Sequence, residues 1–249
     1  MSERTIELRI KRQDNPESEP YWEEFSLPYQ ANSNVLACLM DIQKNPVNKQ
    51  GKKVSPIAAE WNCMEEVCGT CTMLINSRVR QGCSALVDKL HQPIILEPMS
   101  KFPIVRDLIV DRSRLFESLK RVKAWVPMDG FYDLGPGEKI LPTHQSIAYA
   151  LSQCMSCGSC LESCPQYAKD NNFIGAAAIS QARLFNMHPT GKIIANERLD
   201  ALMGEDGIAT CGNAQNCVAH CPKSIPLTES IAQMGRQTTK RMFTKFFTG

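Results

Sequence analysis

The sequence lacks most of what would point to secretion, membrane insertion or nucleic-acid binding. Met1-Ser2-Glu3-Arg4-Thr5 leads straight into an alternating pattern, with no basic region followed by an apolar one, so no signal peptide is expected. The longest apolar stretch, Phe173 to Ile179, is seven residues and contains Gly175. A membrane span needs roughly 18 or more, so none is expected. The net charge is only +2, which excludes a strongly basic nucleic-acid binder and a strongly acidic tail. No Gly-x-Gly-x-x-Gly fingerprint occurs. Gly135-Pro136-Gly137 is too short and sits in a loop-like stretch from Leu134. Histidine is scarce at four residues, His91, His144, His188 and His220, and no Ser/His/Asp set stands out. The chain therefore offers no catalytic residue of its own. Cysteine, by contrast, is abundant, with 12 in 249 residues. Where no secretory leader is expected, that many cysteines point to metal or redox chemistry rather than a disulfide framework.

Hydrophobic periodicity divides the chain in two. Ile6, Leu8 and Ile10 alternate with polar residues and predict a strand. Trp22 to Leu27 predicts a second, ended by Pro28. Asn34 is placed to cap a short helix over Val35, Leu36, Leu39, Met40 and Ile42, closed by Asn45-Pro46. Thr70 to Ile75 predicts a strand with a turn at Asn76-Ser77, and Ile94 to Leu96 another between Pro93 and Pro98. Beyond Pro103 the period becomes helical, through Val105, Leu108, Ile109, Arg112, Leu115, Phe116, Leu119 and Val122 to Trp125. Further helices are expected from a Thr143 cap to about Gln153, and over 172–186, 197–203 and 227–241. The fold class is α+β: a β-rich domain over 1–104 and a helical one over 105–249.

The cysteines fall into three groups and a remainder. Cys63-x4-Cys68-x2-Cys71 with a distal Cys83 has the plant-type ferredoxin spacing for a 2Fe–2S cluster. Gly69 and Gly82 beside those ligands let backbone N–H groups approach the sulfurs. Zinc usually takes two separated pairs, so a three-Cys loop with a lone fourth is a poor zinc pattern. Cys154-x2-Cys157-x2-Cys160-x3-Cys164-Pro165 is the bacterial ferredoxin run, whose fourth Cys ligates a different cluster. The partner run is Cys211-x2-Ala214-x2-Cys217-x3-Cys221-Pro222, with Ala214 where a cysteine would stand. The crossing rule gives Cys154, Cys157, Cys160 and Cys221 to a 4Fe–4S cluster. It leaves Cys164, Cys211 and Cys217 to a site with three thiolates. Its natural product is a 3Fe–4S cluster; a 4Fe–4S cluster whose fourth iron takes water or a non-Cys ligand is the alternative. Cys38, in an apolar helical stretch, fits no ligand spacing and reads as a packed small hydrophobe. His220 lies between ligands, and its expected role is packing or a hydrogen bond.

Three unlike clusters without a flavin or nicotinamide fingerprint predict an electron relay. From Lys223 onward, Lys223, Arg236, Lys240, Arg241 and Lys245 face a single acid, Glu229, with Met242, Phe243, Phe246 and Phe247 interleaved. Such a tail fits a membrane surface or an anchor protein, and equally a solvated helix end.

The segments 63–71, 80–83, 105–108, 154–165 and 211–223 together resemble the iron–sulfur subunits of the succinate dehydrogenase (succinate:quinone oxidoreductase) and fumarate reductase family. The resemblance covers almost the whole chain. It implies a β-grasp ferredoxin domain followed by a bacterial-type ferredoxin domain. It also implies a flavoprotein partner whose FAD oxidises succinate, and a haem-bearing cytochrome b membrane anchor. Electrons would pass through the 2Fe–2S, 4Fe–4S and 3Fe–4S clusters to a quinone near Pro165 and Gly212. The chain would sit peripherally at the cytoplasmic face of the cell membrane. Ubiquinone-linked members carry a Trp pair after the first Cys-Pro. This chain has Gln166-Tyr167-Ala168-Lys169, which resembles the menaquinone-linked members and an anchor that is a single dihaem cytochrome b. Direction stays open between succinate oxidation and fumarate reduction. Other readings are the cluster subunit of another quinone-linked oxidoreductase, such as a heterodisulfide-reductase-like or glycolate-oxidase-like complex, and a zinc-stabilised interaction module.

Overall fold

The structure is a computed structural model that describes residues 4–127 and 138–248. The expected Leu134–Gly137 loop lies outside the described residues. In chain order the elements are β1 (Thr5–Arg12), β2 (Tyr21–Pro28), α1 (Val35–Lys44), β3 (Thr72–Ile75), β4 (Arg78–Gln81), β5 (Ile94–Glu97), β6 (Ile104–Arg106), β7 (Ile109–Val110), α2 (Ser113–Arg121), α3 (Pro142–Ser152), α4 (Ser159–Glu162), α5 (Gly175–Met187), α6 (Ala195–Leu202), α7 (Asn216–Ala219) and α8 (Leu227–Thr248). They form two compact units. One comprises Met1–Arg112 with Met155–Glu162, the other Ser113–Cys154 with Ser163–Gly249.

The first unit is a five-stranded sheet in the order β2-β1-β5-β3-β4, mixed because β1 runs parallel to β5 and the other pairs are antiparallel. The alternation in β1 turns Ile6, Leu8 and Ile10 into the core, where they meet Phe25 and the α1 residues Val35, Leu36, Leu39 and Ile42. Asn34 caps α1 as expected, its side-chain oxygen accepting from Ala37 N at 2.8 Å. Asn76 and Ser77 both take positive φ (48° and 62°), the type I′ geometry that closes a two-residue hairpin between β3 and β4.

The helical reading from Val105 needs correction: the chain forms β6 and β7 first, and the helix begins at Ser113. The cause is Asp107. Its backbone is left-handed (φ 46°), which no helix continues through, and its buried carboxylate is held by distant groups. It accepts from Arg12 Nε at 2.9 Å, Gln13 N at 3.1 Å and Ala58 N at 2.8 Å.

In the second unit α5 is the central helix. Its small residues, Ala176, Ala177, Ala178 and Ala182, are buried and let α8, α3, α2 and α6 pack close around it. Thr143 does not cap α3; the capping position is Leu141, with Pro142 at the first helical turn, where its missing N–H is no loss. Helix α8 runs past the expected end near Arg241 to Thr248. Asp200 on α6 explains the continuation, because Arg241 and Lys245 both reach it, at 3.1 and 2.9 Å.

Candidate iron–sulfur sites

The loop between α1 and β3 carries Cys63, Cys68 and Cys71, and the chain after β4 brings Cys83 to them. Val67 N and Cys68 N each donate to Cys63 Sγ at 3.3 Å, and the Thr70 hydroxyl donates to Cys68 Sγ at 3.1 Å. Three loop residues take left-handed backbone: Met64 (φ 63°), Glu66 (58°) and Gly69 (71°). Such turns aim consecutive N–H groups inward, which suits an anionic sulfur cage. Gly69 was legible in the sequence as a glycine; Met64 and Glu66 carried no such signal. Burial opposes ionisation of Cys68. The Thr70 hydroxyl and the backbone N–H groups of Cys63 and Thr70 outweigh it and bring the thiol down to about 6. Cys83 behaves oppositely: burial, then the hydrogen bond and charge of Cys71 and the charge of Cys63, push it up to about 12. The charges of Cys71 and Cys63 thus reach Cys83, and Cys68 N reaches Cys63 Sγ; bound iron would relieve repulsion among these sulfurs. Arg112 braces the loop, its guanidinium donating to Gly69 O at 2.9 Å and Thr70 O at 2.7 Å.

The bacterial-type runs show the same device, with left-handed residues at Ser156 (φ 51°) and Gly158 (85°) in one, and Asn213 (55°) and Gln215 (62°) in the other. Cys157 and Cys160 lie on the segment that belongs to the first unit, whereas Cys154 and Cys221 lie in the second. Cys221 Sγ accepts from Ile225 N at 3.5 Å.

Cys164, Cys211 and Cys217 line a single cavity together with Pro165, Gln166 and Ala214. Burial raises the Cys217 thiol, and the charges of Cys164 and Cys211 add to it, so the three sulfurs feel one another. Ala214 lines the same cavity, and residues 212–216 are exposed. Gly212 packs against Gln166: a Cβ on it would meet Gln166 Nε2 at 2.5 Å, so that side chain would have to move aside. A wider apolar groove of ≈ 750 Å³ adjoins this cavity through Cys211, Asn213, Thr228 and Ile231. His220 fills the bland role expected of it, its Nδ1 lying 3.0 Å from Asn216 O. Among the described residues no three His, Cys, Asp or Glu side chains close on the point a lone metal ion needs. A cluster spreads its thiolates over several irons, so its ligands stand further apart.

Cys38 is buried on α1, and burial pushes its thiol up to about 11 despite a hydrogen bond with Ser33. Cys38→Ala is expected to cost about 1 kcal/mol of stability and to leave iron content unchanged. Iron analysis of the purified variant checks this, and a lost cluster would contradict it.

In the last turns of α8, Phe246 and Phe247 are 80% and 78% exposed, with Met242 and Phe243 also outward. No helix among the described residues is long and apolar enough to cross a membrane.

Comparison with known proteins accords with this geometry. A 2Fe-2S iron-sulfur cluster binding domain family matches residues 7–117, and a 4Fe-4S dicluster domain family matches residues 150–225. The chain is 56% identical over 248 residues to the succinate dehydrogenase iron-sulfur subunit of Bacillus subtilis, covering 99% of this chain and 98% of that one. It is 29% identical over 235 residues to the fumarate reductase iron-sulfur subunit of Haemophilus influenzae, covering 88% of each. Among solved structures, a chain of the Mycobacterium smegmatis Sdh1 complex in the apo form superposes with a TM-score of 0.73. That match covers 97% of this chain and 98% of the other; at 23% identity it supports the fold. Fold and cysteine loops together define an iron–sulfur protein built from a plant-type and a dicluster ferredoxin domain, a class that relays electrons. Within that class, the chain belongs to the family of succinate dehydrogenase iron-sulfur subunits, with fumarate reductase subunits as relatives. It is the electron-relay subunit of an oxidoreductase complex.

Proposed function

We propose that this chain carries electrons from a FAD-bearing flavoprotein that oxidises succinate to menaquinone at a cytochrome b anchor. Cys63, Cys68, Cys71 and Cys83 would hold a 2Fe–2S cluster. Cys154, Cys157, Cys160 and Cys221 would hold a 4Fe–4S cluster. Cys164, Cys211 and Cys217 would hold a 3Fe–4S cluster. When bound, these groups supply one-electron carriers of graded potential. The protein's share is to ligate them, to donate N–H and O–H groups to their sulfurs, and to leave one corner open at Ala214.

The observation that carries the reading is the cavity in which three cysteines meet Ala214. Its open corner lies on the exposed segment 212–216, where an electron can leave the chain. Pro165 and Gly212 lie at that end and are the candidates to border a quinone. The exposed aromatic tip of α8 offers a surface for the anchor, which would hold the chain at the cytoplasmic face of the membrane. A quinol:fumarate reductase would use the same residues, since a relay carries electrons either way and the terminal succinate/fumarate and quinone couples set the direction.

The test is metal analysis and EPR on the purified complex. Iron content of about nine per chain is expected. So are a 2Fe–2S signal on reduction and a 3Fe–4S signal on oxidation. Absence of the oxidised signal from an intact complex overturns the three-thiolate assignment, and zinc without acid-labile sulfide overturns the whole reading. Co-purification then identifies the flavoprotein and anchor, and assays with menaquinone and ubiquinone analogues decide the acceptor.

A further inference from the structure

A buried polar chain connects the first cysteine loop to Cys157, and cluster ligation does not require it. Its centre is Gln81, the last residue of β4, 1% exposed. Gln81 Nε2 donates to Thr72 Oγ1 at 3.1 Å and to Ser159 Oγ at 3.4 Å. Thr72 Oγ1 in turn donates to Gly69 O at 2.7 Å. Ser159 Oγ lies 3.4 Å from Cys157 Sγ. Thr72 and Ser159 are buried as well.

Counting protons gives the chain a direction. The amide nitrogen has two protons, and each hydroxyl has one. When Gln81 gives one proton to each hydroxyl, both hydroxyl protons are left to point outward. Thr72 spends its proton on the Gly69 carbonyl. As a free thiol Cys157 donates to Ser159 Oγ. Once that sulfur is a metal-bound thiolate it can only accept, and the Ser159 proton can turn to it. All four donor protons are used once Cys157 is ligated.

The same chain holds the backbone in place. Gly69 stands between Cys68 and Cys71, and a Cβ on it would lie 2.6 Å from Cys157 Cβ and 2.8 Å from Cys157 Cα. The first cysteine loop therefore touches Cys157 directly, with Arg112 and Thr72 both fixing the Gly69 carbonyl.

We infer that Gln81 is a positioning residue for electron transfer between the first and second clusters. It holds Gly69 against Cys157 and, through Ser159, sets a hydrogen bond on the Cys157 thiolate. This rests on the ligand assignment above. Cys63, Cys68, Cys71 and Cys83 would hold the centre that gives up one electron, and Cys157 would help hold the centre that receives it. No bond is made or broken, and no proton moves. Tunnelling falls steeply with separation, so a contact kept at van der Waals distance sets the rate. A hydrogen bond to a ligand sulfur stabilises the more negative, reduced state and raises the potential.

The test uses the whole complex, with EPR-monitored redox titration and the spin–spin broadening between the reduced first and second centres. In Ser159→Ala the second centre's potential should fall, and Ser159→Thr, which keeps the hydroxyl, should restore it. In Thr72→Val the potentials should hold. The spin–spin broadening should weaken, and transfer from the first to the second centre should slow about tenfold. Gln81→Leu should show both effects; if it fails to load iron, the two single-arm variants decide. Wild-type complex without the expected cluster signals overturns the ligand assignment and this inference with it. Iron-loaded variants whose potentials and broadening match wild type overturn the inference alone.

Discussion

Ala214→Cys is expected to abolish the oxidised 3Fe–4S signal, raise iron content by about one per chain and impair quinone reduction. The register supports this. Ala214 occupies the second ligand position of its run, as Cys157 does in the other, and it lines the cavity of Cys164, Cys211 and Cys217. Asn213 and Gln215 on either side are already in the left-handed turns that present this position, so the backbone needs no rearrangement. A fourth thiolate adds negative charge to the centre, which lowers its reduction potential. For a one-electron couple, about 59 mV is a factor of ten in occupancy, so a fall of about 120 mV leaves the terminal centre reduced a hundredfold less often. Electrons would then stall before the quinone. Succinate oxidation with an artificial acceptor at the flavoprotein should persist, while succinate:quinone reductase activity falls by one to two orders of magnitude, on that arithmetic. EPR of the oxidised complex and the two assays side by side read the effect. An unchanged oxidised signal with unchanged quinone reductase activity would remove Ala214 from the cluster wall.

What the sequence made legible was local. The ligand spacings are short-range patterns, and so are the β1 alternation and the Asn34 cap, which reappear in the structure. The bland readings of Cys38 and His220 follow from the same kind of short-range context. What stayed hidden depends on residues far apart in the chain. Val105 to Val122 matches a helical period, yet β6, a turn at Asp107 and β7 take up its first part, with Val105 exposed, before a true helix takes over at Ser113. Only the contacts of Asp107 with Arg12, Gln13 and Ala58 decide otherwise. Left-handed backbone at Met64, Glu66 and Gln215 defies residue preference and is imposed by the loops. Gln81 carries no signal in the sequence until Ser159, 78 positions away, meets it.

Asp107 itself carries the largest stability effect expected. Arg12 and Asp107 both have fully buried side chains, and they pair at 2.9 Å. The Asp107 carboxylate also accepts the Gln13 and Ala58 N–H groups, so three of its four lone-pair sites are filled from within the protein. Three further Arg12 donors go to Glu23 at 2.6 Å and to the Ser55 and Pro56 carbonyls. In Asp107→Ala the guanidinium loses its best-buried partner, and two backbone N–H groups are stranded. Breaking a buried pair from one side costs about 3–5 kcal/mol, a large share of the ~5–15 kcal/mol that holds a domain together. The melting temperature of the N-terminal unit in the intact complex should drop by more than about 10 °C. The 2Fe–2S signal should be the first to go on heating, because Asp107 anchors Ala58, at the start of the cysteine loop. Glu23→Gln should cost less, since Asp107 still neutralises Arg12. Glu117→Ala, which removes the exposed pair with Lys120, should change stability by under about 0.5 kcal/mol. A melting profile of Asp107→Ala no different from that of Glu117→Ala would show that the buried pair contributes nothing. The N-terminal fold would then rest on its apolar core of Ile6, Leu8, Ile10 and Phe25 alone.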